Sequence, residues 1–212
     1  MTGFPFKPAK AVAHLKAADP RLAAIIDTVG PLRMELKHSR SLFGALAEAI
    51  VYQQLSNKAA ATIYGRVEAL YPDAHDGFAP RDILATPDEA LRGCGLSRAK
   101  VLAVQDLARR VESGELPTLD AAHTIPDTEL IERLVKVRGI GRWSAEMFLM
   151  FRLGRPDVLP VDDYSLRKAY AKAFRKRALP SPNALKKAGE KWRPYRTVAS
   201  WYLWRVLELP SS

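Results

Sequence analysis

No run of this chain alternates apolar and polar residues with the period of two that a half-buried strand requires. Helix-starting residues followed by apolar residues at three- and four-residue spacing recur instead from end to end, and this predicts an all-α fold. Pro8 to Ala18 and Pro20 to Thr28 read as short helices of an N-terminal arm, the second closed by Gly30 as a left-handed cap. Ser41 caps a helix through Gln53 and Ser56 one through about Leu70, a hairpin broken at Gln54 and Leu55. Thr86-Pro87-Asp88-Glu89 has the spacing of a capping box, with proline at the first helical position and a stop near Gly93 or Gly95. Ser97 opens a helix to about Ser113, Pro126 one to about Val137, and Arg142 one to Leu153. Asp162-Asp163 cap a helix through about Phe174, Ser181-Pro182 start another, and Tyr195 to Leu207 is the last.

With 212 residues, 48% of them hydrophobic, such a chain buries a core without help from metals or disulfides. Its one cysteine, Cys94, forms no internal disulfide and holds no four-cysteine iron–sulfur cluster, and four scattered histidines give no metal-ligand pattern. The start MTGFPFKP lacks the charged-then-apolar order of a secretory leader, and no stretch reaches the roughly 20 apolar residues that span a bilayer. A soluble, cytosolic protein is expected. The formal charge of +10 is unevenly distributed: after Asp163 there are 12 Lys and Arg against Glu190 and Glu208, and residues 1 to 163 are neutral as a block. A one-sided positive charge suits a polyanion, either nucleic acid or an anionic membrane, or is a solvated face kept for solubility.

The strongest local signal is Leu134 to Ala145, LVKVRGIGRWSA. Gly139 and Gly141 allow a tight turn between two helices and leave backbone N–H groups uncovered at the start of the second. With Arg138 and Arg142 beside it and the Ser144 hydroxyl close in sequence, this corner can grip one phosphate without reading sequence. A purely structural turn would use the same glycines. The second signal lies 22 residues beyond Gly141, in Leu159-Pro160-Val161-Asp162-Asp163-Tyr164. With these two motifs the chain resembles the helix-hairpin-helix DNA glycosylase superfamily, and GIGRWSA with the DDY triplet is most similar to its alkylated-base branch, the 3-methyladenine DNA glycosylase II type. The resemblance runs from about Ser41 to Trp204.

The resemblance implies that Asp163, directly before the tyrosine, is the catalytic aspartate. The chemistry is consistent with that role, because cleavage of an N-glycosidic bond builds positive charge on the sugar and a fixed anion stabilises it. A carboxylate at a helix N-terminus is kept ionised by the dipole, and it can also orient water. Asp162 is expected to be an ordinary N-cap. The same resemblance implies a base pocket lined by Trp143, Tyr164, Trp204 and Tyr52, with Met147 where a bacterial family member carries an aromatic; on periodicity alone Trp201 and Trp204 read as core. Position 143 is where strand-cleaving members carry a Schiff-base lysine, so a tryptophan there implies water as nucleophile and an uncut strand.

Tyr52 to Ser56 resembles the family's plug segment, with Gln54 or Leu55 the candidate wedge and Gln53 and Ser56 as flanking DNA contacts. Ser97 and Lys100 match a family helix start that either touches phosphate or simply caps.

The expected organisation is a central helical lobe of residues 42–155 with the hairpin, and a second lobe of 1–41 and 156–212, with the pocket in the cleft between them. The implied function is a monofunctional glycosylase for alkylated bases that needs no cofactor or metal. Its implied partner is double-stranded DNA containing damaged bases, with no membrane. A monomer is expected, in the cytoplasm, with the nucleoid if bacterial, or in the nucleus if eukaryotic. The competing readings are a glycosylase for oxidised or deaminated bases, and a noncatalytic helix-hairpin-helix DNA-binding module.

Overall fold

The computed structural model describes residues 3–74 and 77–209, and every regular element among them is helical. The chain divides into two compact units, one running from His38 to Phe148 and the other joining the residues up to Lys37 with those from Leu149 onward. Residues 149–155 therefore group with the terminal segments.

In the middle unit, α3 (Leu42–Tyr52) carries seven buried residues out of 11 and is the central helix. It is apolar almost all round because it packs on α4 (Asn57–Glu68) and α7 (Arg98–Glu112), and α7 also supports α5 (Pro80–Ala85) and α6 (Asp88–Gly93). Ser41, Ser56 and Ser97 each accept a backbone N–H three residues on, so all three predicted caps are present. Phe78 joins the rings of Phe43, Tyr64 and Tyr71 at centroid distances of 5.9, 5.8 and 5.5 Å. After the single turn α8 (Leu119–Ala122), α9 (Asp127–Leu134) leads through a turn to α10 (Arg142–Phe151).

Three sequence expectations fail here for local reasons. Thr86 does not cap α6: its hydroxyl donates to the Asp82 carbonyl and shares a hydrogen bond with the Tyr71 hydroxyl, so it closes α5, which went unpredicted. Pro87 precedes α6 as an N-cap with no side-chain bond. Gly30 has a positive φ of 87° but ψ of −153°, an extended mirror conformation rather than the left-handed helical one.

The terminal unit packs α1 (Pro8–Ala18) on α2 (Pro20–Val29), and α11 (Tyr164–Ala173) and α2 on α13 (Arg196–Arg205), with α12 (Pro182–Gly189) and a 3₁₀ turn at Glu190–Trp192 closing the side. Leu15, Leu22, Leu185, Trp192 and Tyr202 are fully buried at its centre. Asp19, 2% exposed, ties the two ends of the chain together. Its Oδ1 accepts the Arg21 and Leu22 N–H groups at the start of α2, and its Oδ2 accepts the Trp192 indole N–H at 2.9 Å and the Lys191 ammonium at 2.8 Å. Burial raises this carboxyl's pKa, but Lys191, Trp192 and the Leu22 N–H outweigh it and hold the group below its ordinary value.

Candidate active site

The sequence-predicted residues assemble in two groups, one in each unit. In the middle unit the turn between α9 and α10 reverses direction at Gly139, whose φ of 80° is open to glycine and strained for other residues. A Cβ there would also lie 3.3 Å from that of Ala103. Gly141 does not share this requirement: its φ is not positive and nothing lies within 4 Å of where its Cβ would be. Both glycines are exposed, and among the described residues their N–H groups have no acceptor, so two unsatisfied donors lie in the turn that leads into a ten-residue helix.

This turn is fastened from three directions. Asp106 on α7 accepts the Arg138 N–H at 2.8 Å while the Arg110 guanidinium holds the same oxygen at 3.0 Å. Burial pushes Asp106 up, but the hydrogen bonds from Arg138 and Arg110 more than offset it and keep the carboxyl below its ordinary value. The Gln53 amide donates to the Gly139 carbonyl at 2.9 Å and reaches the Ser144 hydroxyl at 3.5 Å, a long contact. Arg142, more than half exposed, gives its Nε to the buried Glu146 one turn along α10 at 3.0 Å. Arg138 itself is exposed.

Gln53 is also the residue where α3 stops. The Lys100 ammonium donates to the carbonyls of Val51 at 2.7 Å and Gln53 at 2.9 Å, satisfying orphan acceptors at the helix end, and burial lowers its pKa. Of the two uses open to Lys100, phosphate contact and capping, the structure provides the cap; Ser97 caps α7 in the same way. The next residue, Gln54, has a φ of 58°, a left-handed conformation uncommon outside glycine, and Gln54, Leu55 and Ser56 are exposed. Tyr52 is partly buried, as is Met147, which shares a face of α10 with Trp143 one turn earlier; Trp143 is 48% exposed despite its size.

In the terminal unit Asp163, not Asp162, is the N-cap of α11. Its Oδ1 accepts the Leu166 N–H and, at 3.3 Å, the indole N–H of Trp204 from α13. The expectation that Asp162 caps is therefore wrong: it is exposed and lies one residue too early for the helical N–H groups. The carboxylate is half-buried and fixed from two elements. Tyr164 beside it is 64% exposed. Trp204 is partly buried against Phe151, whose ring centroid is 6.2 Å away, whereas Trp201 is the core tryptophan, 8% exposed with the Arg205 guanidinium over its ring. This arrangement gives an anchored anion beside two aromatic side chains, suited to a site where positive charge develops. Among the described residues no cluster of His, Cys, Asp and Glu can hold a metal ion, and no helix is long and apolar enough to cross a membrane.

In this all-helical chain, with its exposed glycine hairpin and a capped aspartate beyond it, residues 47–194 match the model of the HhH-GPD superfamily base excision DNA repair proteins. The chain belongs to that family. It is 36% identical over 204 residues to DNA-3-methyladenine glycosylase 1 of Schizosaccharomyces pombe, covering 94% of this chain and 88% of that one. It superposes on the S. pombe 3-methyladenine DNA glycosylase Mag1 in complex with abasic DNA with a TM-score of 0.81 at 35% identity, covering 94% and 97% of the two chains. On a DNA-3-methyladenine glycosidase from Bacillus halodurans the TM-score is 0.83 at 38% identity, covering 92% and 88%.

Proposed function

We infer that this protein releases alkylated bases, of the 3-methyladenine and 7-methylguanine kind, from double-stranded DNA by hydrolysing the N-glycosidic bond. The observation that carries this is the Asp163 carboxylate, held as the α11 cap beside Tyr164 and against the Trp204 indole, in a chain of this family. An N-alkylated purine is already cationic. As its bond to C1′ breaks, the electron pair leaves with the base, which departs neutral, and the sugar becomes oxocarbenium-like. Asp163 stabilises that charge, a water oxygen bonds to C1′, and the proton that this oxygen then loses passes to bulk water.

The cationic base is held by aromatic faces, for which Trp143, Tyr164, Trp204 and Tyr52 are the candidates, with Met147 as a softer wall. Gly139 and Gly141 donate their N–H groups to a backbone phosphate, with Arg138, Arg142 and Ser144 around it. Gln54 or Leu55 fills the gap left in the base stack by the extruded nucleotide, flanked by Gln53 and Ser56. Ser97 and Lys100 support that segment. With tryptophan at position 143 no amine is there to attack the sugar, so the product is an intact strand with an abasic site. The protein acts where chromosomal DNA is, in the cytoplasm at a bacterial nucleoid or in a eukaryotic nucleus.

The test is to incubate duplex DNA methylated on purine nitrogens with the protein, identify the released bases by chromatography, and add borohydride in parallel. Released methylpurines, strands that break only after alkali, and no trapped protein–DNA adduct are expected. A trapped adduct, or DNA binding without release, overturns the reading.

A further inference from the structure

Charge divides between the two units in the opposite sense to the hairpin. The middle unit, which carries the hairpin, has 13 Lys and Arg against 15 Asp and Glu, a net −2. The terminal unit has 20 against 8, a net +12. Much of that excess lies where α11 ends and α12 follows. Lys168, Arg175, Lys176, Arg177, Lys186 and Lys187 are all exposed, and among the described residues none of their side chains has a hydrogen bond or ion pair. The other cations of this region are occupied: Arg167 donates to the Pro180 carbonyl, Lys172 to the Val206 and Leu209 carbonyls, Lys191 pairs with Asp19, and Arg193 and Arg196 pair with Asp157 and Glu190.

We propose that this corner is a second grip for the phosphate backbone of duplex DNA, separate from the glycine hairpin and independent of the damaged base. Cations near a helix C-terminus gain about 0.3–1 kcal/mol each from the dipole, which favours Arg175, Lys186 and Lys187 where they stand. It does not explain six of them with only Glu190 near, whose charge Lys186 feels without pairing with it, since unpaired like charges repel one another in the compact state. A polyanion relieves that repulsion, and a duplex presents one charge per roughly 1.7 Å of its axis. The corner is also shaped for it. Arg21, Arg175, Lys176 and Lys191 line an open depression with Tyr170, Phe174 and the Asp19 carboxylate, and the four cations outnumber that one anion where a phosphate can sit. Arg21 and Lys191 are fixed there by the Phe174 carbonyl and Asp19, and the exposed Arg175 has a left-handed φ of 48°. Because the hairpin unit is slightly acidic, the attraction that brings DNA to this protein originates mainly here.

The proposal rests on the reading of the chain as a DNA enzyme, and the experiment separates the two. A quadruple variant, Lys176→Gln, Arg177→Gln, Lys186→Gln and Lys187→Gln, is compared with wild type for binding an undamaged duplex from about 50 to about 200 mM salt. Release of methylpurine is measured at saturating protein in the same preparations. Binding is expected to lose salt dependence by about 0.9 in the log–log slope per lost phosphate contact, about 2 to 4 in all, and to weaken at least tenfold at the lower salt. Release at saturation stays within twofold. A double variant removing only the hairpin cations, Arg138→Gln and Arg142→Gln, lowers the slope by about 2 at most. An unchanged slope in the quadruple variant with active wild-type protein overturns the second grip alone, whereas absence of release by wild type overturns the enzymatic reading. Wild-type binding to phosphatidylserine vesicles that is tighter than to duplex and lost in the quadruple variant would assign the corner to a membrane surface and also overturn the proposal.

Discussion

At Asp106 one carboxylate oxygen takes both the Arg138 N–H and the Arg110 guanidinium, so a residue more than 30 positions upstream sets the angle at which the glycine turn is presented. Nothing in the local sequence marks it. Asp106 sits in the polar face of α7, and its partner becomes visible only when the hairpin folds back on that helix. Because its folded pKa is depressed, the stability it contributes is fully present above its unfolded value of about 3.9 and is lost as pH falls through the lower folded value. Urea melts at about pH 6 and about pH 3 should therefore show wild type losing its advantage over Asp106→Asn on acidification. Two curves that stay parallel would remove the charge from this account. Gly139 is required by its φ and by Ala103, whereas Gly141 leaves two N–H groups room to meet a ligand, a distinction that the GxG pattern does not carry.

Among the elements, the end of α3 matters most. Sequence periodicity locates α3 and α4 and the break between them, because Ser41 and Ser56 announce their helices and the apolar spacing lapses at Gln54 and Leu55. It does not reveal that Lys100 closes the last turn of α3 or that Gln53 reaches the hairpin, both of which are long-range contacts. Lys100 is a positioning residue in this account: it holds the two carbonyls that precede the strained Gln54. Lys100→Met should expose the amides of 54–56 to faster hydrogen exchange, cost about 1.5–3 kcal/mol of stability, and slow base release by about tenfold, with Lys100→Arg recovering part of each. Loss of stability with unchanged release at saturation would leave Lys100 with a purely structural role.

Across the whole molecule, the all-helical class and most helix boundaries were legible because caps and apolar periodicity are local. The short α5 and α8 were not, since six and four residues carry too little periodic signal. Of the candidate site, Asp163 was legible as a helix-capping carboxylate after a GxG turn, and the choice of Asp163 over Asp162 followed from the family resemblance, not from the sequence pattern. The Trp204 indole on its Oδ1 comes from 41 residues away and had no sequence signal. The charge map was half legible: the basic C-terminal stretch was visible, but the slightly acidic hairpin unit emerges only once the units are drawn. All of this bears on one claim, that the Asp163 carboxylate stabilises the departing sugar cation. The most direct measurement is single-turnover release of a methylated purine by Asp163→Asn, alongside its affinity for abasic duplex. Release is expected to slow by at least about 100-fold, with affinity within a few-fold of wild type. Release at the wild-type rate by a folded Asp163→Asn protein would contradict it.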